Sequence, residues 1–98
     1  MKEHQLMTLI KNYLEAKGWF VLRLNSGALR TEKGHMVRMS PAGTPDLFAL
    51  KNGKPIFIEV KLGRNKTTIM QDHMLNIIEE HGAQTIIAYS LEDVEGSL

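Results

Sequence analysis

Asp46, Glu59 and Lys61 are the residues of this 98-residue chain whose types and spacing could do chemistry together. Between the two acids lies Lys51-Asn52-Gly53-Lys54. Asn-Gly signals a two-residue hairpin turn, because both turn positions need positive φ. With Asn52 and Gly53 as the loop, Lys51 pairs with Lys54 and Asp46 falls directly opposite Glu59. Opposed residues project from one sheet face with Cβ atoms roughly 4.5–5.5 Å apart. Alternation then adds Lys61 to that face, two residues beyond Glu59. Like charges directly opposed destabilise a sheet. A hard divalent cation such as Mg²⁺ or Mn²⁺ offsets that repulsion and takes carboxylate oxygens as ligands. Such an ion can bind a phosphate oxygen and lower the pKa of a bound water. A neighbouring Lys can orient that water or neutralise developing charge. The competing explanation is a surface ion pair between Lys61 and Glu59. Asp46 in register and the apolar alternation around all three weigh against it, although a one-residue bulge would break the register.

Two further polar residues sit on the edges of apolar helical stripes. Glu3 lies one turn before Leu6 and Met7, where an acid also simply favours a helix N-terminus. Gln71 shares a stripe with Met74 and Ile78, where it is equally explained as a polar residue in a first helical turn. Neither stands out alone.

The elements that must position these residues follow from periodicity and turn chemistry. Leu6, Leu9, Ile10, Tyr13 and Leu14 predict a helix over residues 3–17, ended by Gly18. Residues 19–24 read as a strand. Residues 26–44 read as an irregular insertion, with a small hairpin pairing 28–31 with 35–39 around Glu32-Lys33-Gly34. Strands follow at 46–50 and 55–62. Thr67 or Thr68 caps a helix running to about His81, with Met70, Met74, Ile77 and Ile78 on one stripe and both methionines as core filler. Residues 84–89 form a last strand. Ile56–Ile58 and 85–88 are apolar on both faces, as in central, covered strands. Residues 90–98 read as a short, frayed acidic tail. The whole is one α/β domain over residues 1–98, with a mixed sheet and flanking helices.

Composition narrows the chemistry. With no cysteine, the chain can hold no disulfide, thiolate zinc site or iron–sulfur cluster, which fits a reducing compartment. No apolar run is long enough to span a membrane, and Met1-Lys2-Glu3 places an acid where a signal peptide would be basic. The four histidines show no paired metal-ligand spacing. No phosphate-binding Gly-rich loop or nucleophile elbow is present. The formal net charge of +1 hides an asymmetry. Residues 23–66 carry nine Lys and Arg against three acids, a balance of +6, while the remainder carries three against eight, −5. The basic segment contains the carboxylate pair. Arg30, Arg38, Arg64 and Lys66 are candidates for phosphate contacts, and Ser26 and Thr67 could donate to a phosphate. Lys51 and Lys54 read as ordinary solubilising turn residues.

Gly43-Thr44-Pro45-Asp46 followed by Glu59-Val60-Lys61 resembles the PD-(D/E)XK nuclease signature. More closely, the chain resembles the virus-type replication–repair nuclease (VRR-NUC) domains, in their stand-alone phage and bacterial form. The resemblance rests on Glu3 in the first helix, Asn25 and Gly27 after the first strand, the Gly-x-Pro-Asp and Glu-x-Lys strands, and Gln71 in the following helix. It spans residues 3 to about 89. It implies a restriction-endonuclease-like αβββαβ core with an inserted hairpin, and a Mg²⁺- or Mn²⁺-dependent deoxyribonuclease. Glu3, Asp46, Glu59 and the Val60 carbonyl would then ligate metal, while Lys61 and Gln71 position water. Asn25, Ser26, Gly27, Arg30, Arg38, Arg64, Lys66 and Thr67 would face DNA. The products would carry 5′-phosphates. The resemblance also implies a homodimer acting on branched DNA such as Holliday junctions, in the cytoplasm of a bacterial or phage-infected cell. A non-catalytic nucleic-acid-binding or assembly module on the same fold is the alternative. The intact Asp46, Glu59 and Lys61 trio favours the enzyme, since binding alone has no need of mutually repelling carboxylates.

Overall fold

The computed structural model describes residues 1–24, 28–30, 32–38 and 40–98, with residues 28–30 and 36–38 described by their backbone. In chain order the elements are α1 (Glu3–Ala16), β1 (Phe20–Arg23), β2 (Ala28–Arg30), β3 (Met36–Arg38), β4 (Leu47–Lys51), β5 (Lys54–Val60), α2 (Ile69–Glu80), β6 (Gln84–Ala88) and α3 (Leu91–Glu95). The expected α/β architecture is therefore present, and the inserted hairpin forms a separate two-stranded ribbon in which Ala28 pairs with Arg38.

The main sheet has the order β1-β4-β5-β6, antiparallel at the first two pairings and parallel at the last. Asn52 (φ 50°) and Gly53 (φ 77°) take the left-handed conformations that a two-residue turn demands. Lys51 pairs with Lys54 and Leu47 with Ile58. The register read from Asn-Gly thus holds along the hairpin without a bulge, and carries Asp46, one residue before β4, to a position opposite Glu59.

One sheet face carries the core. Leu6, Ile10 and Leu14 of α1 and Val94 of α3 pack on Val21, Leu47, Ala49, Ile56, Ile58, Val60, Ile86 and Ala88. Burying such side chains stabilises the fold by roughly 1.5–3 kcal/mol each. The opposite face is divided. The β6 side lies under α2, which inserts Leu75, while Phe20, Leu22 and Leu50 on β1 and β4 stay exposed beside the tilted Phe48–Phe57 pair.

Three expectations need correction. Residues 90–98 are not a frayed tail: Ser90 accepts a hydrogen bond from the Asp93 amide and caps α3, and Val94 is fully buried. Strand β6 is an edge strand rather than a central one, and Ile87 is exposed. Met70 is not core filler. Helix α2 turns Gln71, Met74, Leu75 and Ile78 inward, which leaves Met70 and Ile77 exposed on its flanks.

Candidate metal and phosphodiester site

The end of the β4–β5 hairpin gathers its polar groups under the start of α2. Pro45 is fully buried and Asp46 is 4% exposed. The Asp46 carbonyl accepts from the Leu24 amide at 2.9 Å, extending the β1–β4 ladder by one residue. Its carboxylate Oδ2 accepts from the Val60 amide at 2.7 Å. Asp46 is thereby fixed at both main chain and side chain.

Glu59 is 1% exposed, and alternation turns it away from the neighbouring Ile58 and Val60 in the core. Its Oε1 accepts from Gln71 Nε2 at 3.1 Å and lies 3.9 Å from Lys61 Nζ. Its Oε2 is buried without a hydrogen-bond partner. Burial pushes the Glu59 carboxyl up to about 8; the Asp46 carboxylate beside it adds to the rise, Lys61 opposes it, and Glu3 adds further repulsion. Without a cation, burial therefore favours the protonated form of the Glu59 carboxyl at neutral pH.

Gln71 is held from two sides. The Thr68 hydroxyl caps α2 by accepting from the Gln71 main-chain amide at 3.1 Å, and the Gln71 side-chain Oε1 accepts from the Thr68 amide at 2.9 Å. This reciprocal capping box aims the remaining Gln71 Nε2 at Glu59. Thr68, rather than Thr67, is thus the cap that positions Gln71, and the Thr-x-x-Gln spacing carries the signal. Tyr89 is another contributor not anticipated. Its hydroxyl donates to the Asn65 carbonyl at 2.8 Å and ties down the segment joining β5 to α2.

The structure thus brings Asp46, Glu59, Lys61 and Gln71 together. Glu3 opens α1 close enough for its charge to act on Glu59. Among the described residues, however, no three acidic or histidine side chains close around one point as a ready-made ligand set. Arg64 and Lys66 are exposed on the segment leading from Lys61 to α2. The Thr67 hydroxyl is engaged by Asp72. Asn25, Ser26 and Gly27 lie outside the described residues, as do the side chains of Arg30 and Arg38.

The donor set suits a hard divalent ion. Two carboxylates on adjacent strands offer oxygen, the atom type Mg²⁺ and Mn²⁺ prefer. The unpartnered Glu59 Oε2 is a buried acceptor that a cation would satisfy.

A scan against protein-family models gave no match, and neither did a search of curated proteins. A solved structure described as a VRR_NUC domain is similar to this chain with a TM-score of 0.71 and 25% identity, covering 96% of this chain and 90% of the other. The mixed four-stranded sheet with its flanking helices has the fold of a nuclease family. Along nearly its whole length the chain resembles a VRR-NUC domain.

Proposed function

We propose that the chain is a Mg²⁺- or Mn²⁺-dependent DNA endonuclease that hydrolyses phosphodiester bonds in branched DNA and works as a homodimer. One observation carries the reading. Glu59 is buried beside Asp46 with one oxygen unpartnered, and Lys61 and Gln71 both converge on its other oxygen.

Asp46, Glu59 and the Val60 carbonyl would hold the ion, with Glu3 contributing from the start of α1. When bound, it supplies a Lewis acid for the phosphate and a water of lowered pKa. Asp46 keeps its geometry through the Val60 amide. Lys61, largely buried on the same face as Glu59, supplies positive charge where the attacked phosphate becomes more negative. Gln71 fixes the Glu59 carboxylate and offers an amide to orient water. Arg64 and Lys66, with Arg30 and Arg38 on the inserted ribbon, would hold flanking phosphates. Asn25, Ser26 and Gly27 would approach the backbone between them. Cleavage would leave 5′-phosphate ends. The exposed strip of Phe20, Leu22 and Leu50 is apolar surface that a second copy would cover, which supports the dimer.

The test is a substrate panel. Labelled four-way junctions, flaps, linear duplex and single strands are incubated with the protein in Mn²⁺, Mg²⁺ or EDTA. Cleavage is expected with either metal, strongest on branched DNA, and none in EDTA. Equal cutting of linear duplex removes the structure selectivity. Binding without cutting under every condition establishes the non-catalytic alternative. A monodisperse monomer at working concentration removes the dimer.

A further inference from the structure

We infer that Gly43 is a positioning residue for the proposed nuclease: it lets the turn before Asp46 seat directly on the α2 backbone and thereby holds Gln71 against Glu59. The inference rests on the nuclease reading for its effect on rate, but its geometry is independent of it.

Residues 41–44 form a turn in which the Thr44 amide and hydroxyl both donate to the Pro41 carbonyl, at 3.2 and 2.6 Å. Gly43 takes φ +86° there, a left-handed conformation that favours glycine. A Cβ at this position would stand 2.5 Å from the Met70 carbonyl oxygen, 2.8 Å from its carbon and 3.2 Å from the Gln71 nitrogen. All three atoms are main chain, so no rotamer change can relieve the clash. Other left-handed glycines differ: Gly34, Gly53, Gly63 and Gly82 have nothing within 4 Å of the corresponding position. Only a turn is required at those sites. At Gly43 a turn and a close approach are required together.

The approach matters because of what stands on each side. Asp46 follows Gly43 by three residues, and the contacted peptide is the one that leads into Gln71. The same Gln71 amide donates to Thr68 Oγ1, and its side chain reaches Glu59. Gly43 is thus the joint between the strand that carries Asp46 and the helix that carries Gln71. Pushing the two backbones apart would lengthen the 3.1 Å bond from Gln71 to Glu59 before it disturbed the core, which lies on the other sheet face.

The experiment compares Gly43→Ala with Gly82→Ala, which has the same backbone strain at φ +95° but open space around it. The Gln71 side-chain amide is followed by ¹H–¹⁵N NMR in metal-free protein and assigned by its loss in Gln71→Ala. In wild type the proton facing Glu59 should be displaced from its free-amide shift, and the displacement should change in Glu59→Gln. Gly43→Ala should return it towards the free-amide value, and Gly82→Ala should preserve it. In the cleavage assay Gly43→Ala should lower kcat by ~10-fold, no more than Gln71→Ala does, with little change in KM. In a Gln71→Ala background it should add almost nothing. Thr44→Gly loosens the same turn without adding a Cβ, and gives a second reading if Gly43→Ala does not fold. It should shift the same NMR signals by a smaller amount. Unmoved Gln71 signals in a folded Gly43→Ala or in Thr44→Gly, or rate losses that multiply in the double variant, would overturn the inference. Absence of cleavage by wild type, with the NMR pattern as expected, would instead overturn the nuclease reading alone.

Discussion

Gln71 donates its side-chain amide to Glu59 at 3.1 Å while its side-chain oxygen closes the capping box with Thr68. One residue therefore both begins a helix and orients a buried carboxylate. The two duties separate by mutation. Thr68→Ala removes the cap and should cost about 1 kcal/mol of stability while lowering the cleavage rate only modestly. Gln71→Ala should cost a similar amount of stability but lower the rate by roughly tenfold or more. Urea unfolding and single-turnover kinetics on both variants check this. Equal rates in the two would remove Gln71 from the site.

The Glu59 carboxyl provides a pH prediction for the metal-free protein. Its folded pKa of about 8 stands above the ordinary glutamate value of 4.5. Between those values the folded state holds a proton that the unfolded state has released. Stability therefore falls as pH rises from about 4.5 to about 8, and the fall amounts to the order of a few kcal/mol. Glu59→Gln should flatten this dependence and be more stable than wild type at the alkaline end. Thermal unfolding in EDTA across that range tests the sign; a Glu59→Gln curve parallel to wild type would contradict it.

Val94 tests the last helix. It is fully buried in the core, although α3 spans only five residues. Val94→Ala should cost ~2 kcal/mol through lost burial and a residual cavity. For a domain of this size that lowers Tm by roughly 8–16 °C. No change would mean that α3 does not pack as described.

Arg64 and Lys66 are exposed on the segment that follows Lys61, and the role proposed for them is electrostatic. Replacing either by Gln should weaken binding of a four-way junction similarly for all sequences. Each lost phosphate contact should reduce the slope of log K against log salt by about 0.9. A salt titration by fluorescence anisotropy reads the slope, and an unchanged slope assigns these residues to bulk solvent.

Most of the site was legible because one turn sets its register. Asn52-Gly53 permits a single short pairing, and counting outward from it placed Asp46 opposite Glu59. Gln71 was legible as an inward position with Met74 and Ile78. Other features depended on tertiary context. The α2 stripe is narrow enough that Met70, one residue from Gln71, falls outside it. The apolar residues of β6 match those of a central strand, yet among the described residues no strand pairs beyond it, because sheet order is set by the crossover through α2. Helix α3 is too short to form on propensity, and it exists because Val94 has a core to enter. The close approach at Gly43 has no local signal beyond the glycine itself. The sequence could not distinguish it from the glycines that only make turns.

Asp46, Glu59 and Lys61 are proposed here as one divalent-metal nuclease centre. The most direct test is single-turnover cleavage of a labelled four-way junction by wild type, Asp46→Asn and Lys61→Ala, each in Mn²⁺ and in EDTA. Wild type should cut in Mn²⁺ and not in EDTA, and both variants should lose at least ~100-fold in rate while remaining folded. Cleavage that persists in EDTA, or that is unchanged in Lys61→Ala, would contradict the account.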